Sequence, residues 1–413
     1  MKYLVLVGDG MADYPRPELD GRTPLEAAST PAMDEIAARG LLGTYYPIPD
    51  DLPPGSDIGN LSLFGYDPHA TFTGRAPIEA ARQGIPVADD QVAFRCNLVT
   101  LRDGIMASFT AGHIPTPEAT QLIEALASAL GDTTVAFHSG VSYRHLTILT
   151  AGEITVDDMV ATSCTPPHDI SDRLYEDHLP AGPAADYLRD LMARSQAVLA
   201  SHAVNAARIA SDNPPATSIW LWGQGKKPTM TPYVDRFGLS GAVISAVDLV
   251  NGIGVCAGFE VIEVPGATGY LDTDYAGKVN AALGALERHA LAYLHVEAPD
   301  EVSHEGSTDL KIQAIEDFDR QVVSPCLDSA IARGDSRLLV APDHVTAIET
   351  KTHAGGPVPF AACGPGISPA GATSYSEAAA AAANVVIPRG HLLLPHLLTT
   401  DVVTAATLAS IDG

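Results

Sequence analysis

Four short segments carry the residue types that hold hard or borderline metal ions. They are Val7-Gly8-Asp9-Gly10, Pro54-Gly55-Ser56-Asp57, the run 297–304 with Asp300 and His304, and Ala341-Pro342-Asp343-His344, followed nine residues later by His353. Each stands just past an apolar run or in a loop. Carboxylate and neutral imidazole together suit zinc or manganese, whereas magnesium and calcium prefer all-oxygen sets. Asp300 and His304 are four apart, so one helical turn puts them on the same face. Asp343 and His344 are adjacent, which suits a loop at a strand end. Taken singly, such residues read as turn formers, caps or packed histidines. Their joint occurrence at four places reads as a metal site. Ser56 follows a glycine and opens a helical stretch, and two readings stand open. It is a helix N-cap, with Asp57 as a rival cap, or it is a nucleophile. A serine hydroxyl is a poor nucleophile unless a metal ion lowers its pKa.

The elements that must position these residues have an α/β rhythm. Residues 3–7 form a continuous apolar run, the character of a buried parallel strand, and chemistry in open α/β sheets sits at the carboxyl ends of such strands. Strand-like runs recur at 218–222, 242–245, 260–264, 292–296, 337–341 and 358–362, with helical patterns between them, including 32–39 and 185–202. This alternation predicts a mostly parallel sheet flanked by helices. From residue 73 to about 178 the texture changes to short alternating runs at 92–97, 97–101, 134–138 and 145–149, with one amphipathic helix at 118–130. That stretch reads as an α+β insert. The expected organisation is a discontinuous core of residues 1–72 and 185–413 around an inserted domain of residues 73–184. The insert's basic residues are arginines, since no lysine occurs between Lys2 and Lys226.

Bulk properties narrow the function. At 413 residues the chain exceeds the ~250–300 that one hydrophobic core usually serves. A formal net charge of -26 repels nucleic acid and anionic membranes, so neither is an expected partner. The same field opposes a small anionic substrate, which must be held by local cations, either bound metal or arginine. The five cysteines are scattered and form no CxxC pair, as expected of reduced thiols in a cytoplasmic protein. No apolar run is long enough to span a bilayer. The glycines and lysines at 223–228 lack the spacing of a P-loop.

These motifs together resemble the cofactor-independent phosphoglycerate mutases of the archaeal-type branch, within the alkaline phosphatase superfamily. The resemblance runs nearly end to end, through GDGMAD at 8–13, PGSDIGNLSLFGYDP at 54–68, GRAPIEAA at 74–81, AFRCNLVT at 93–100, EAPDEVSHEG at 297–306, APDH at 341–344 and KTHAGGPVPF at 351–360. It implies an alkaline-phosphatase-like core with an inserted cap domain. It implies a phosphoserine at Ser56, one divalent ion on Asp9, Ser56, Asp343 and His344, and a second on Asp300, His304 and His353. Manganese is the first expectation for both, with zinc, cobalt or magnesium as alternatives, and no 2,3-bisphosphoglycerate. The implied reaction is the glycolytic interconversion of 3-phosphoglycerate and 2-phosphoglycerate by a monomer or small homo-oligomer. In that reading the insert grips the glycerate carboxylate with arginine, whose fork matches it. Arg75, Arg95 and Arg144 are the candidates, with His145 as an acid, base or phosphate contact. The alternative for each is a structural or surface ion pair. Segments 140–146, 218–228 and 266–278 look more like a bacterial side-branch proposed as alternative homoserine kinases. A phosphotransferase acting on a small hydroxy-amino acid, or a metal-dependent phosphatase, is therefore the competing expectation.

Overall fold

The computed structural model describes residues 1–411 and divides into two compact units. The first joins Met1–Phe72 to the chain from Thr229 onward, and the second is Thr73–Pro228.

The first unit is built on an eight-stranded sheet in the order Val386–Ile387, Leu41–Tyr45, Val358–Cys363, Ser336–Ala341, Lys2–Gly8, Leu291–Val296, Gly241–Ile244, Glu260–Val261. Among the described residues, Val358–Cys363 alone runs against its neighbours. The sheet is therefore mainly parallel, as the alternating pattern required. Its three central strands are buried along nearly their whole length. Continuous apolar runs such as Tyr3-Leu4-Val5-Leu6-Val7 are what a strand covered on both faces needs. Helices from before and after the insert complete the core. Met33 and Ile36, Val279 and Ala282, and Ala314, Ile315 and Phe318 pack with the strand residues Leu4, Leu6, Leu294 and Val340. No helix among the described residues is long and apolar enough to cross a membrane.

The second unit is an antiparallel sheet centred on the twelve-residue strand Gln91–Arg102, which pairs with Ile105–Ser108, Arg144–Thr150 and Ser218–Gly225, with Val135–His138 beyond Arg144–Thr150. Helix Thr116–Leu130 buries Ala119, Leu122, Ile123, Leu126 and Leu130, the one-face spacing of an amphipathic helix. It packs with helix Ala185–Ala200 in this unit's own core. Helix Arg75–Arg82 covers a smaller cluster, setting Ala76 and Ala80 on Ala93, Leu146 and Ile148.

The insert therefore extends to Pro228 and does not end at residue 184. The reason is a strand pairing. Ser218–Gly225 runs antiparallel to Gln91–Arg102 from Val99↔Ser218 to Ala93↔Gly225. Its run of buried apolar residues has the texture of a parallel core strand, and texture does not report which sheet a strand joins.

Candidate functional site

Ser336–Ala341, Lys2–Gly8 and Leu291–Val296 are parallel neighbours, so the segments that follow them emerge side by side. Asp9 leaves the middle strand. Asp300 and His304 lie on helix Ala298–Glu305, which follows Leu291–Val296, and Asp343 and His344 lie just past Ser336–Ala341. His353 comes from the short strand Thr352–Ala354, where it pairs with Thr346. Ser56 is the first residue of helix Ser56–Leu63, whose other residues are all buried. That helix is fixed by Asn60, which donates to Asp343 Oδ2 at 2.6 Å and accepts from the Tyr293 hydroxyl at 2.7 Å. It lies so close that a Cβ on Gly59 would come within 2.3 Å of the Asp343 carbonyl.

Two groups of side chains converge. In one, Asp300 Oδ2 stands 3.0 Å from His304 Nε2, Asp300 Oδ1 stands 3.5 Å from His353 Nε2, and the two imidazole nitrogens are 3.1 Å apart. In the other, His344 Nε2 is 3.0 Å from Ser56 Oγ, 3.2 Å from Asp9 Oδ1 and 3.5 Å from Asp343 Oδ2. All seven residues expected at a metal centre thus fall into these two groups. The sequence reading passed over His295. It lies inside the apolar strand Leu291–Val296, fully buried, with Nε2 3.0 Å from Asp9 Oδ2 and Nδ1 3.2 Å from Ser245 Oγ. Val7 and His295 are register partners on adjacent strands, which brings His295 against Asp9.

The electrostatics show what this arrangement requires. Three buried carboxylates share the site, and their ion-pair partners among the described residues are histidines, with no lysine or arginine. Burial and the neighbouring Asp9 charge hold Asp343 well above the usual carboxylate range. Burial and Asp300 push Asp9 up as well, but the imidazoles of His295 and His344 outweigh them and bring it to about 2. The hydrogen bond to Asp300 lifts His304 to about 9 against the pull of burial. His344 reaches about 10, because Asp343 and Asp9 overcome its complete burial. Asp9 Oδ1 and His295 Nε2 are buried, and their close approaches to His344 and Asp9 lack good hydrogen-bond geometry. Donor atoms spaced like these, with the charge of three carboxylates to neutralise and no fixed cation to do it, fit divalent metal ions. Outer contacts orient the ligands. His304 Nδ1 lies 2.9 Å from the Lys351 carbonyl, which can only accept, so Nδ1 carries a proton and, once the ring is neutral, Nε2 is the atom left to bind metal.

In the second unit, Arg95 feels the charges of Arg75 and Arg144. Arg95 lies 4.1 Å over the Trp222 ring and is 3.2 Å from Glu79. Burial lowers its pKa; Glu79 opposes this, and the other two arginines add to it. His168 sets its ring edge-on to Trp222 at 5.4 Å. His145 does not join the arginines. Side chains alternate along a strand, and Arg144 shares a face with Asn97 while His145 shares the opposite face with Cys96. His145 is buried, accepts from the Gly140 amide at 3.0 Å, and is pushed down to about 4 by burial.

Comparison with known proteins follows the same lines. A family model described as 2,3-bisphosphoglycerate-independent phosphoglycerate mutase matches residues 37–205. A protein of that name from Methanosarcina barkeri is 53% identical over 363 residues, covering 87% of this chain and 90% of that one. A probable enzyme of the same name from Geobacter sulfurreducens is 49% identical, covering 96% of this chain and 100% of that one. Among solved structures, a Pyrococcus horikoshii protein aligns with a TM-score of 0.79 at 27% identity, covering 100% and 98% of the two chains. The cofactor-independent phosphoglycerate mutase from Thermoplasma acidophilum aligns with a TM-score of 0.67 at 24% identity, covering 96% and 100%, which extends the likeness in fold.

Proposed function

Since the chain belongs to the 2,3-bisphosphoglycerate-independent phosphoglycerate mutase family, we propose that it interconverts 3-phosphoglycerate and 2-phosphoglycerate through a phosphoserine at Ser56. The observation that carries this reading is the position of Ser56 Oγ, 3.0 Å from His344 Nε2, the atom that also approaches the Asp9 and Asp343 carboxylates. Ser56 is also the one residue of its helix that is not buried, so its hydroxyl can meet a substrate.

Asp300, His304 and His353 would hold one divalent ion, and Asp9, Ser56, Asp343 and His344 the other, with manganese favoured by the mixed oxygen and nitrogen donors. When bound, such ions supply Lewis acidity toward phosphoryl oxygens and make the serine hydroxyl easier to deprotonate. Ser56 Oγ forms a bond to phosphorus as the bond from phosphorus to O3 of the glycerate breaks, and O3 gains the proton that Oγ gives up. O2 of the retained glycerate then attacks the phosphoserine. The Oγ–P bond breaks, and Oγ recovers a proton from O2. The new phosphate on Ser56 sits at the N-terminus of Ser56–Leu63, the end of a helix that favours negative charge. Retention of the glycerate falls to Arg75, Arg95 and Arg144, whose planar guanidinium groups suit a carboxylate.

The test offers manganese-loaded protein 3-phosphoglycerate alone and follows phosphorus by NMR. The expected product is 2-phosphoglycerate, and Ser56→Ala should abolish its formation with the fold intact. Release of inorganic phosphate in its place, turnover of homoserine with ATP to O-phosphohomoserine, or wild-type rates in Ser56→Ala would overturn the reading.

A further inference from the structure

Thr346 touches neither set of expected ligands in sequence, yet its hydroxyl meets both in space. The side chain is fully buried. Its Oγ1 donates to Asp300 Oδ1 and lies 3.0 Å from His344 Nδ1. A hydroxyl has one hydrogen to give. With that hydrogen on the Asp300 carboxylate, the second contact runs from His344 Nδ1–H to Oγ1. In the neutral ring that metal binding requires, the proton on Nδ1 leaves the lone pair on His344 Nε2, and Nε2 is the atom that faces Ser56 Oγ and Asp9 Oδ1.

The hydroxyl is itself held in place. The Thr346 amide donates to the Ala12 carbonyl at 3.2 Å. Its carbonyl accepts from Lys311 Nζ at 2.6 Å, and the same ammonium donates to Ala12 O and Asp13 Oδ2. Across the short ladder, Thr346 is the register partner of His353. Room for Oγ1 depends on residue 10 being glycine, since a Cβ there would lie 2.3 Å away.

We propose that Thr346 is a positioning residue whose single hydroxyl couples the two metal sets, orienting Asp300 of one and fixing the tautomer of His344 in the other. The inference rests on the metal-site reading above. Outer-shell partners of this kind typically change metal affinity by about 10–100-fold. Thr346→Val keeps the shape and removes the hydroxyl, whereas Thr346→Ser keeps the hydroxyl and removes the methyl.

Manganese binding, measured by calorimetry and by electron paramagnetic resonance, should weaken by about 10–100-fold for both ions in Thr346→Val. In Thr346→Ser it should stay within about threefold of wild type. In zinc-loaded wild-type protein, long-range nitrogen–proton correlation should find the His344 proton on Nδ1, a readout that depends on no variant folding. A proton on Nε2, a change confined to one ion or to neither in the valine variant, or a serine variant as impaired as the valine one would overturn the proposal. Failure of the wild-type protein to bind metal would instead sink the reading beneath it.

Discussion

Replacing Gly10 by alanine tests the packing on which the whole centre depends. Gly10 has φ +58°, and an added Cβ would lie 2.3 Å from Thr346 Oγ1 and 2.6 Å from Asp300 Oδ1. Two costs follow. An L-residue in the left-handed region costs about 1–2 kcal/mol. Relief of the clash requires Thr346 or Asp300 to retreat by roughly an ångström, and an overpacked core site typically costs about 1–3 kcal/mol. Neither neighbour can retreat freely, because Thr346 Oγ1 is engaged by Asp300 and His344 while its backbone is held by Lys311 and Ala12. Gly10→Ala should therefore lose about 2–5 kcal/mol of unfolding free energy in the metal-free protein, the sum of those two ranges. Displacement of Asp300 should also weaken binding of the ion expected on Asp300, His304 and His353 by at least about tenfold. Urea denaturation of chelator-treated protein and calorimetric metal titration measure the two effects separately. A variant within about 1 kcal/mol of wild type, with unchanged metal affinity, would show that Gly10 is not packed against these ligands and would refute the reasoning.

Other outcomes follow from the same geometry. His304 and His344 have folded-state pKa values raised to about 9 and about 10, so in the metal-free protein their stabilisation is complete below the unfolded value of about 6.5 and is lost as pH rises through the folded values. Chelator-treated protein should thus become less stable between about pH 7 and 10, metal should bind more tightly over that range, and binding should release protons into a weakly buffered solution; metal affinity flat with pH would contradict this. Arg95→Lys removes the planar group over Trp222 and should raise KM for phosphoglycerate by about tenfold or more, the scale of a charged hydrogen bond. His145→Gln should leave KM within about twofold, because that ring lies on the other face of the sheet; a larger KM effect for His145 than for Arg95 would reverse the assignment. A fragment of residues 73–228 should fold cooperatively by circular dichroism, whereas residues 73–184 should not, since they leave residues 93–99 unpaired on the side that Ser218–Gly225 covers and strip Trp220, Leu221 and Trp222 from the core. Cooperative unfolding of the shorter fragment would refute that boundary.

The mainly parallel sheet was legible because both of its signals are local. Each central strand is largely apolar, and residue types that can bind a metal follow soon after each. The reversed strand Val358–Cys363 was not legible, since it is as apolar as its neighbours and direction leaves no mark on composition. The same blindness misplaced Ser218–Gly225. Its residues announce a buried strand truthfully, but partner choice lies in the register with Gln91–Arg102, more than a hundred residues earlier in the chain.

At the candidate site, legibility followed charge. Asp9, Asp300, His304, Asp343, His344 and His353 stood out because polar residues at the ends of apolar strands need a reason to be there. His295 escaped because it sits within the strand, where a single histidine reads as packing. Only the parallel register, which brings it against Asp9, gives it a second meaning. Thr346 escaped for a different reason. Threonine in a short strand is ordinary, and its role depends on which way one hydrogen points. Asp300 takes that hydrogen, so His344 must supply its own from Nδ1, and the other ring nitrogen, the one free to bind metal, is turned toward Ser56. Sequence motifs therefore name the groups able to bind metal. Residues with no such ability of their own decide which of those groups' atoms face inward.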